Sequence, residues 1–311
     1  MILVTGGAGF IGSSVIRELV TQGYTVRALD CFLNESYSAK TKRDNWKSLS
    51  KLANLELIEF DLRNPIPSHF LNGVSTVINE AAMPGLVQSW KNFSLYNDCN
   101  SKAVYNLLEA TADSGVENFI QISTSSVYGN LASGNETSPL EPISPYGVTK
   151  LAGEELVRMF NRTRGVNYSI LRYFSVYGPG QRPDMAYHRF INAILQGHPI
   201  EIFGDGSQIR TNTYVEDCVL ATTLAVKAGP LNQCINVSGD DKVTLSGAIA
   251  EIENILALPA DIQYRDSRIG DQFETSTSIQ RAKELLGYTP KWSYSHGIAE
   301  QIRWHKFMNQ S

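Results

Sequence analysis

Tyr146 and Lys150 stand four residues apart in Ser144-Pro145-Tyr146-Gly147-Val148-Thr149-Lys150, a spacing that puts a phenol and an ammonium on one face of a helix. A phenol titrates near ~10 in water and becomes a base near neutrality only where a cation or a desolvated hydrogen-bond network stabilises its anion. The pair is thus a candidate proton-abstracting unit, although the spacing alone also fits a solvated helix face. A second run, Ser123-Thr124-Ser125-Ser126-Val127-Tyr128-Gly129, sets four hydroxyls in a row. At the same sheet edge as Tyr146 these would be donors for a bound alcohol or anion; elsewhere they would be a polar loop.

The elements that must position these groups are readable. Ser144 suits an N-cap and Pro145 the first helical position, so Tyr146 falls in the opening turn of a helix. Val116 to Ile122 reads as a buried strand that delivers the hydroxyls at its tip. At the start of the chain, Ile2 to Thr5 reads as a strand and Ile11 to Gln22 as a helix stopped by Gly23. Between them Gly6, Gly9 and Gly12 follow G-x-x-G-x-x-G, with the first two for close approach to a pyrophosphate and the third for helix–strand packing. A second strand, Thr25 to Leu29, ends at Asp30, where a carboxylate takes ribose hydroxyls and favours NAD over a 2′-phosphorylated cofactor. Strands Leu55 to Phe60 and Val74 to Asn79 end at Asp61, a candidate for the adenine amine, and at Ala81 and Ala82, small enough for close cofactor contact. Tyr96 to Ser114 has helical periodicity, and Thr213 to Ala228 reads as a helix that returns to the core. The basic stretch Asn34 to Lys51 reads as a solvated surface excursion with some helix around Trp46 to Leu52.

The 311 residues are 42% hydrophobic and 19% charged, with a formal charge of -4. That suits one large α/β unit or two lobes, and gives no basic field for nucleic acid or an acidic membrane. Cys31, Cys99, Cys218 and Cys234 are far apart with no metal spacing, which reads as reduced thiols in a cytoplasmic protein with no metal. No apolar run approaches the ~18 residues of a membrane span.

Five motifs in order carry a resemblance: Thr5-Gly6-Gly7-Ala8-Gly9-Phe10-Ile11-Gly12, Ser123-Thr124-x-x-Val127-Tyr128-Gly129, Ser144-Pro145-Tyr146-x-x-x-Lys150, Leu171-Arg172-Tyr173-Phe174-x-Val176-Tyr177-Gly178-Pro179 and Gly204-Asp205-Gly206-x-x-x-Arg210. Together they resemble the extended short-chain dehydrogenase/reductases of the NAD-dependent epimerase/dehydratase family. The resemblance implies a Rossmann-like doubly wound parallel sheet in an NAD-binding domain over 1–175, to which 213–240 returns. A smaller α/β lobe for a UDP-sugar is implied over 176–212 and 241–311, with a homodimer paired through helices around 96–114 and 146–164. It implies further NAD contacts from Phe10, Ile11, Leu62, Asn100 and Tyr173, beside Tyr146 and Lys150. Substrate contacts fall to Thr124, Ser125, Ser126 and Ser175, with Phe203 and Gln208 toward the uracil. Arg182, Arg210 and Arg268 are the guanidinium forks a diphosphate needs in an acidic protein.

Tyr146, held as phenolate by Lys150 and the bound nicotinamide, would then take the proton of a sugar 4-hydroxyl, with Thr124 hydrogen-bonding that hydroxyl. Sugar 4,6-dehydratases that resemble this chain carry Asp-Glu after the threonine, and decarboxylases usually a Glu. Ser125-Ser126 offers no carboxyl, which leaves 4-epimerisation. An uncharged, donor-rich pocket suits a C6 carboxylate, and Thr-Ser-Ser with Gln181-Arg182-Pro183-Asp184-Met185-Ala186 resembles UDP-glucuronate 4-epimerases. UDP-glucose or UDP-N-acetylglucosamine remain alternative substrates, and a dehydrogenase that releases its cofactor or a non-enzymatic dinucleotide sensor are alternatives of another kind. The chain departs from the family pattern at Asn79-Glu80, Val87 and Thr211-Asn212.

Overall fold

Short aliphatic runs buried on both faces build a parallel sheet, because helices must cover each side of it. The computed structural model describes residues 1–267 and 274–309. Strand and helix alternate through β1 (Ile2–Thr5), α1 (Phe10–Thr21), β2 (Val26–Asp30), α2 (Ala39–Leu49), β3 (Leu55–Glu59) and β4 (Thr76–Asn79). Next come α3 (Leu86–Lys91), α4 (Phe93–Asn97) and α5 (Ala103–Ala112), the last two joined by a π-helical turn over Asp98–Lys102. β5 (Asn118–Thr124), β6 (Leu131–Ala132), α6 (Pro145–Arg164), β7 (Tyr168–Tyr173) and β8 (Val176–Tyr177) follow. After α7 (Ala186–Gln196) the chain makes β9 (Ile200–Phe203), β10 (Ile209–Thr211), β11 (Thr213–Tyr214), α8 (Val215–Ala228) and β12 (Gln233–Val237). It ends with β13 (Lys242–Thr244), α9 (Leu245–Leu256), β14 (Ile262–Arg265), β15 (Glu274–Thr275), α10 (Gln280–Leu286) and α11 (Tyr294–Asn309).

The main sheet runs β12-β7-β5-β4-β1-β2-β3 with every pairing parallel. From β1 the chain winds one way to β2 and β3, and from β4 the other way, so the crevice beyond β1 and β4 is the topological switch point where ligands bind in such sheets. Alternation along β1 sends Ile2 and Val4 into the core beneath α1 and α8, and Leu3 into the one shared with α5 and α6. A small sheet, β13-β10-β15-β6, and the pairs β11-β8 and β14-β9 make up the rest.

Two elements differ from the sequence expectation. The polar stretch is helical from Ala39 rather than from about Trp46: Ser38 caps it by accepting from the Lys40 amide, Lys40 pairs with Asp44 at 2.7 Å, and Trp46 packs edge-on against Phe32. Thr213 and Tyr214, expected in a helix, form β11 beside β8, and α8 starts only at Val215. Among the described residues no helix is long and apolar enough to cross a membrane, and all four cysteines are free thiols.

Candidate active site

The switch point opens into a cleft of about 350 Å³, within the size range of small-molecule sites. One end is made by the glycine turn. Gly6 has φ +66°, and a Cβ at Gly12 would lie 2.3 Å from the Gly6 carbonyl oxygen, so the helix can sit this close to the strand only with glycine there. Gly9 caps α1 without a side-chain hydrogen bond, so the first amide N–H groups of the helix point at the cleft as donors for an anion. Thr5 ties this turn to the neighbouring strand, donating to Asn79 Oδ1 at 2.6 Å and accepting from the Ala81 amide at 3.2 Å.

Phe10, Ile11, Asp30, Asp61, Leu62, Ala81 and Ala82 line the same cleft, as the sequence reading expected. Asp30 accepts from the Ala8 and Phe32 amides, which fixes its carboxylate at the end of β2. Asp61 is gripped by the Arg63 guanidinium at 2.6–3.0 Å, whose hydrogen bonds hold its carboxyl below the usual range against a weaker push from burial.

At the other end Thr124, Tyr146, Lys150, Tyr173, Ser175 and Arg182 converge. Ser144 caps α6 by accepting from the Gly147 amide at 3.1 Å, with Pro145 behind it, and so aims Tyr146 into the cleft. Lys150 is buried, and its ammonium donates to the Ile122 carbonyl at 2.6 Å. Burial lowers its pKa to about 8, opposed by the charges of Glu80 and Glu154. Burial also raises the Tyr146 phenol, while the Thr124 hydrogen bond and the Arg182 charge act to lower it. The Lys150 ammonium is directed onto the strand carbonyl, and Thr124 and Arg182 are neighbours that favour the phenolate. Ser175 sits at φ +27°, a left-handed conformation uncommon for a residue with a side chain.

Other sequence expectations are not brought to the cleft wall. Asn100 is buried in the π-helical turn, where its side chain accepts from the Met83 amide and donates to the Met83 carbonyl and Thr149 hydroxyl; it clamps the loop after β4 onto α6. Ser125 and Ser126 are buried in the turn behind Thr124, and Ser126 Oγ lies 3.3 Å from Thr124 Oγ1. Phe203, Gln208 and Arg210 lie around β9 and β10, with Gln208 donating to the Phe203 carbonyl at 2.6 Å and Arg210 to the Ile209 carbonyl at 2.8 Å. Arg268 lies outside the described residues.

Among the cleft residues that escaped the sequence reading are Tyr37 and Lys42 from the supposed solvated stretch, Arg63, and Glu80. Lys42 donates to the Leu33 carbonyl and stands 4.7 Å from the Tyr37 ring centre, and Asn45 donates to the Ala8 carbonyl at 3.1 Å, so the segment after β2 folds over the glycine turn. Only the departure at Glu80 carried a prior signal.

The model of the NAD dependent epimerase/dehydratase family matches residues 2–238. An uncharacterized UDP-glucose epimerase, YtcB, of Bacillus subtilis strain 168 is 39% identical over 97% of this chain and 96% of its own length. A UDP-glucuronate 4-epimerase of Thermodesulfobacterium geofontis is 35% identical over 98% and 95%. The crystal structure of UDP-glucuronic acid 4-epimerase from Bacillus cereus, in complex with UDP-glucuronic acid and NAD, superposes with a TM-score of 0.95 at 38% identity over 99% of both chains.

Proposed function

The chain belongs to the NAD dependent epimerase/dehydratase family, and from that premise we propose that it interconverts UDP-glucuronate and UDP-galacturonate by oxidising and re-reducing C4 of the sugar. The observation that carries the choice of reaction is the turn after Thr124: Ser125 and Ser126 put no carboxyl where a proton at C5 or C6 would have to be moved. The similarity to two UDP-glucuronate 4-epimerases supports the choice of sugar. UDP-glucose is the second reading, favoured by the likeness to YtcB.

The uncapped start of α1, the glycine cradle and Asp30 fit a dinucleotide, with Leu62, Ala81 and Ala82 closing around it. Bound there, NAD would supply the acceptor and donor of the C4 hydride and a positive charge near the phenol. Tyr146 takes the 4-hydroxyl proton, a step that its raised pKa makes hard until that charge is present. Thr124, within hydrogen-bonding reach of the phenol, orients the 4-hydroxyl and hands the proton across. Lys150 is mostly charged at neutral pH and stabilises the phenolate at short range. Arg182 holds one end of the diphosphate and Ser175 a sugar hydroxyl, while Phe203, Gln208 and Arg210 carry the nucleotide end of the second lobe. We assign residues 1–175 with 213–240 to the dinucleotide and the remainder to the UDP-sugar.

A homodimer belongs to the same proposal. Val87, Trp90, Phe93, Tyr105 and Val148 are all exposed, and they lie on α3, α4, α5 and α6, the side of the molecule away from α1. Such a group of large apolar side chains on neighbouring helices is what a second copy would cover.

Incubation of the purified protein with UDP-glucuronate, UDP-glucose and UDP-N-acetylglucosamine, without added coenzyme, tests the reading. UDP-galacturonate from the first is expected. Turnover of UDP-glucose with none of UDP-glucuronate would replace the sugar named here, and release of carbon dioxide or a dehydrated sugar would overturn the reaction.

A further inference from the structure

The loop that carries Arg182 into the cleft leaves β8 at Gly178 and enters α7 at Ala186. Gly178 and Gly180 take φ of +134° and +84°, and glycine's freedom means that neither residue fixes the path by itself. Two internal turns, from the Gln181 amide to the Gly178 carbonyl and from the Met185 amide to the Arg182 carbonyl, each 3.1 Å, shape the loop without tying it to the rest of the chain. Arg182 rides on it as a rigid fork, because Asp184 of the same loop accepts from its guanidinium twice at 3.0 Å. Where the fork points is therefore set by whatever anchors the loop.

Two buried side-chain amides supply that anchor, and one of them comes from the last helix. Gln301 on α11 is 0% exposed and Gln181 is 3% exposed. Gln301 Oε1 accepts from the Gly178 amide at 2.9 Å, and Gln301 Nε2 donates to Gln181 Oε1 at 2.7 Å. Gln181 Oε1 also accepts from the His188 amide at 3.0 Å, and Gln181 Nε2 donates to the Val176 carbonyl at 3.2 Å. A peptide N–H can only donate and a carbonyl can only accept, so the backbone groups at the two ends fix the direction of the relay and neither amide can be flipped. Every polar side-chain atom of both glutamines is thereby partnered. His188 closes the arrangement: its Nδ1 lies 2.9 Å from the Gln181 carbonyl and carries the proton there.

We propose that Gln301 is a positioning residue through which α11 sets the affinity of the cleft for the diphosphate of its ligand, a role that rests on Arg182 being the diphosphate contact proposed above. None of the described residues of α11 lines the cleft, so the influence of that helix passes through the loop. Gln301→Met keeps the length of the side chain but leaves the buried Gly178 N–H without an acceptor and Gln181 Oε1 without one of its donors. The loop then exchanges between the anchored arrangement and others, and apparent affinity falls with the fraction of time it spends anchored. If that fraction drops to ~10–20%, Kd rises ~5–10-fold.

Amide hydrogen exchange on the full chain reads the anchor directly. Exchange in a peptide spanning 178–188 should speed up in Gln301→Met while peptides of β1 and α1 keep the wild-type rate; unchanged exchange in 178–188 overturns the proposal. Calorimetric binding of UDP to wild type, Gln301→Met, Arg182→Met and the double variant then reads the consequence. Gln301→Met should weaken UDP ~5–10-fold, and nothing further should be lost when it is added to Arg182→Met, since an absent fork cannot be misplaced. An equal loss in both backgrounds, or no loss in either, overturns the positioning role, because general damage to the second lobe would not depend on Arg182. In turnover, the KM for UDP-glucuronate should rise with kcat little changed; a fall in kcat at unchanged KM overturns it. If Gln301→Met does not fold, Gln301→Asn, too short to span Gly178 and Gln181, takes its place with the same expectations. A wild type that binds no UDP, while exchange in 178–188 still speeds up in Gln301→Met, overturns the proposed reading of the cleft and leaves the anchoring of the loop by α11 standing.

Discussion

Replacing Arg172 by Met should destabilise the protein more than any other change of one polar side chain behind the site. Arg172 and Glu154 have side chains 1% and 0% exposed, and two hydrogen bonds of 2.9 and 2.6 Å join them. The same carboxylate accepts from Ser123, beside Thr124, and from Arg158 at 2.9 Å, while Arg172 also donates to the Tyr128 hydroxyl at 2.8 Å. The network thus locks the tip of β5 to α6 and β7. Removing one partner of a buried pair costs ~3–5 kcal/mol because the other charge is left uncompensated, and the remaining Arg158 puts Arg172→Met near the lower end. With an unfolding entropy of ~2.1 cal/mol/K per residue, a loss of ~3 kcal/mol in a chain of 311 residues is a fall of ~5 °C in Tm. Removing both charges in Arg172→Met/Glu154→Leu should restore most of it, a coupling of ~2 kcal/mol or more. Burial pushes the Glu154 carboxyl up, yet the Arg172 hydrogen bonds and charge outweigh it and hold the group below the usual range. In the wild type its contribution is therefore full above the unfolded pKa and lost as pH falls through the lower folded value. In Arg172→Met burial dominates, the carboxyl takes up a proton on mild acidification, and the penalty shrinks from about pH 8 to about pH 5. Urea unfolding of the four proteins at both pH values gives the cycle. A penalty below ~1 kcal/mol, or one independent of pH with no recovery in the double variant, would refute the reasoning.

Two further outcomes follow from the geometry. Gly12→Ala sets a methyl 2.3 Å from the Gly6 carbonyl oxygen, a backbone atom that cannot move aside; a loss of ~1–3 kcal/mol or more is expected, with loss of co-purifying dinucleotide measured by absorbance. Unchanged stability and full cofactor content would show that α1 does not lie this close to β1. Trp90→Glu, at a side chain 61% exposed, should change stability of the single chain by no more than ~0.5 kcal/mol while halving the mass seen by light scattering. The wild-type mass in that variant would remove the apolar helix face as the dimer contact.

The parts of the site that the sequence made legible are those encoded by local stereochemistry. Glycines at 6, 9 and 12 announce the turn because only they fit it, and Ser144 with Pro145 announces where α6 begins and hence where Tyr146 points. What stayed hidden depends on partners distant in sequence. The stretch around Lys42 has too few apolar residues to show a buried face, and its role emerges only when Tyr37 and Lys42 meet Leu33 and the glycine turn. A four-residue spacing says that Tyr146 and Lys150 share a helix face, but the Ile122 carbonyl that accepts the Lys150 hydrogen bond lies on another element. Asn100 was legible as a residue that matters, but helical periodicity does not reveal the π-helical turn that directs its amide to Met83. Glu80 stood out as a departure from pattern, yet its partner Tyr173 lies on β7, far away in sequence.

The decisive measurement is the fate of the C4 hydrogen. UDP-glucuronate carrying deuterium at C4 would be incubated with the purified protein in ordinary water with no coenzyme added, and the UDP-galacturonate formed would be weighed by mass spectrometry. Full retention of deuterium at C4 is the expected result, because the hydride leaves and returns within one closed cleft. Deuterium lost to solvent, or an absolute need for added coenzyme in every turnover, would contradict it.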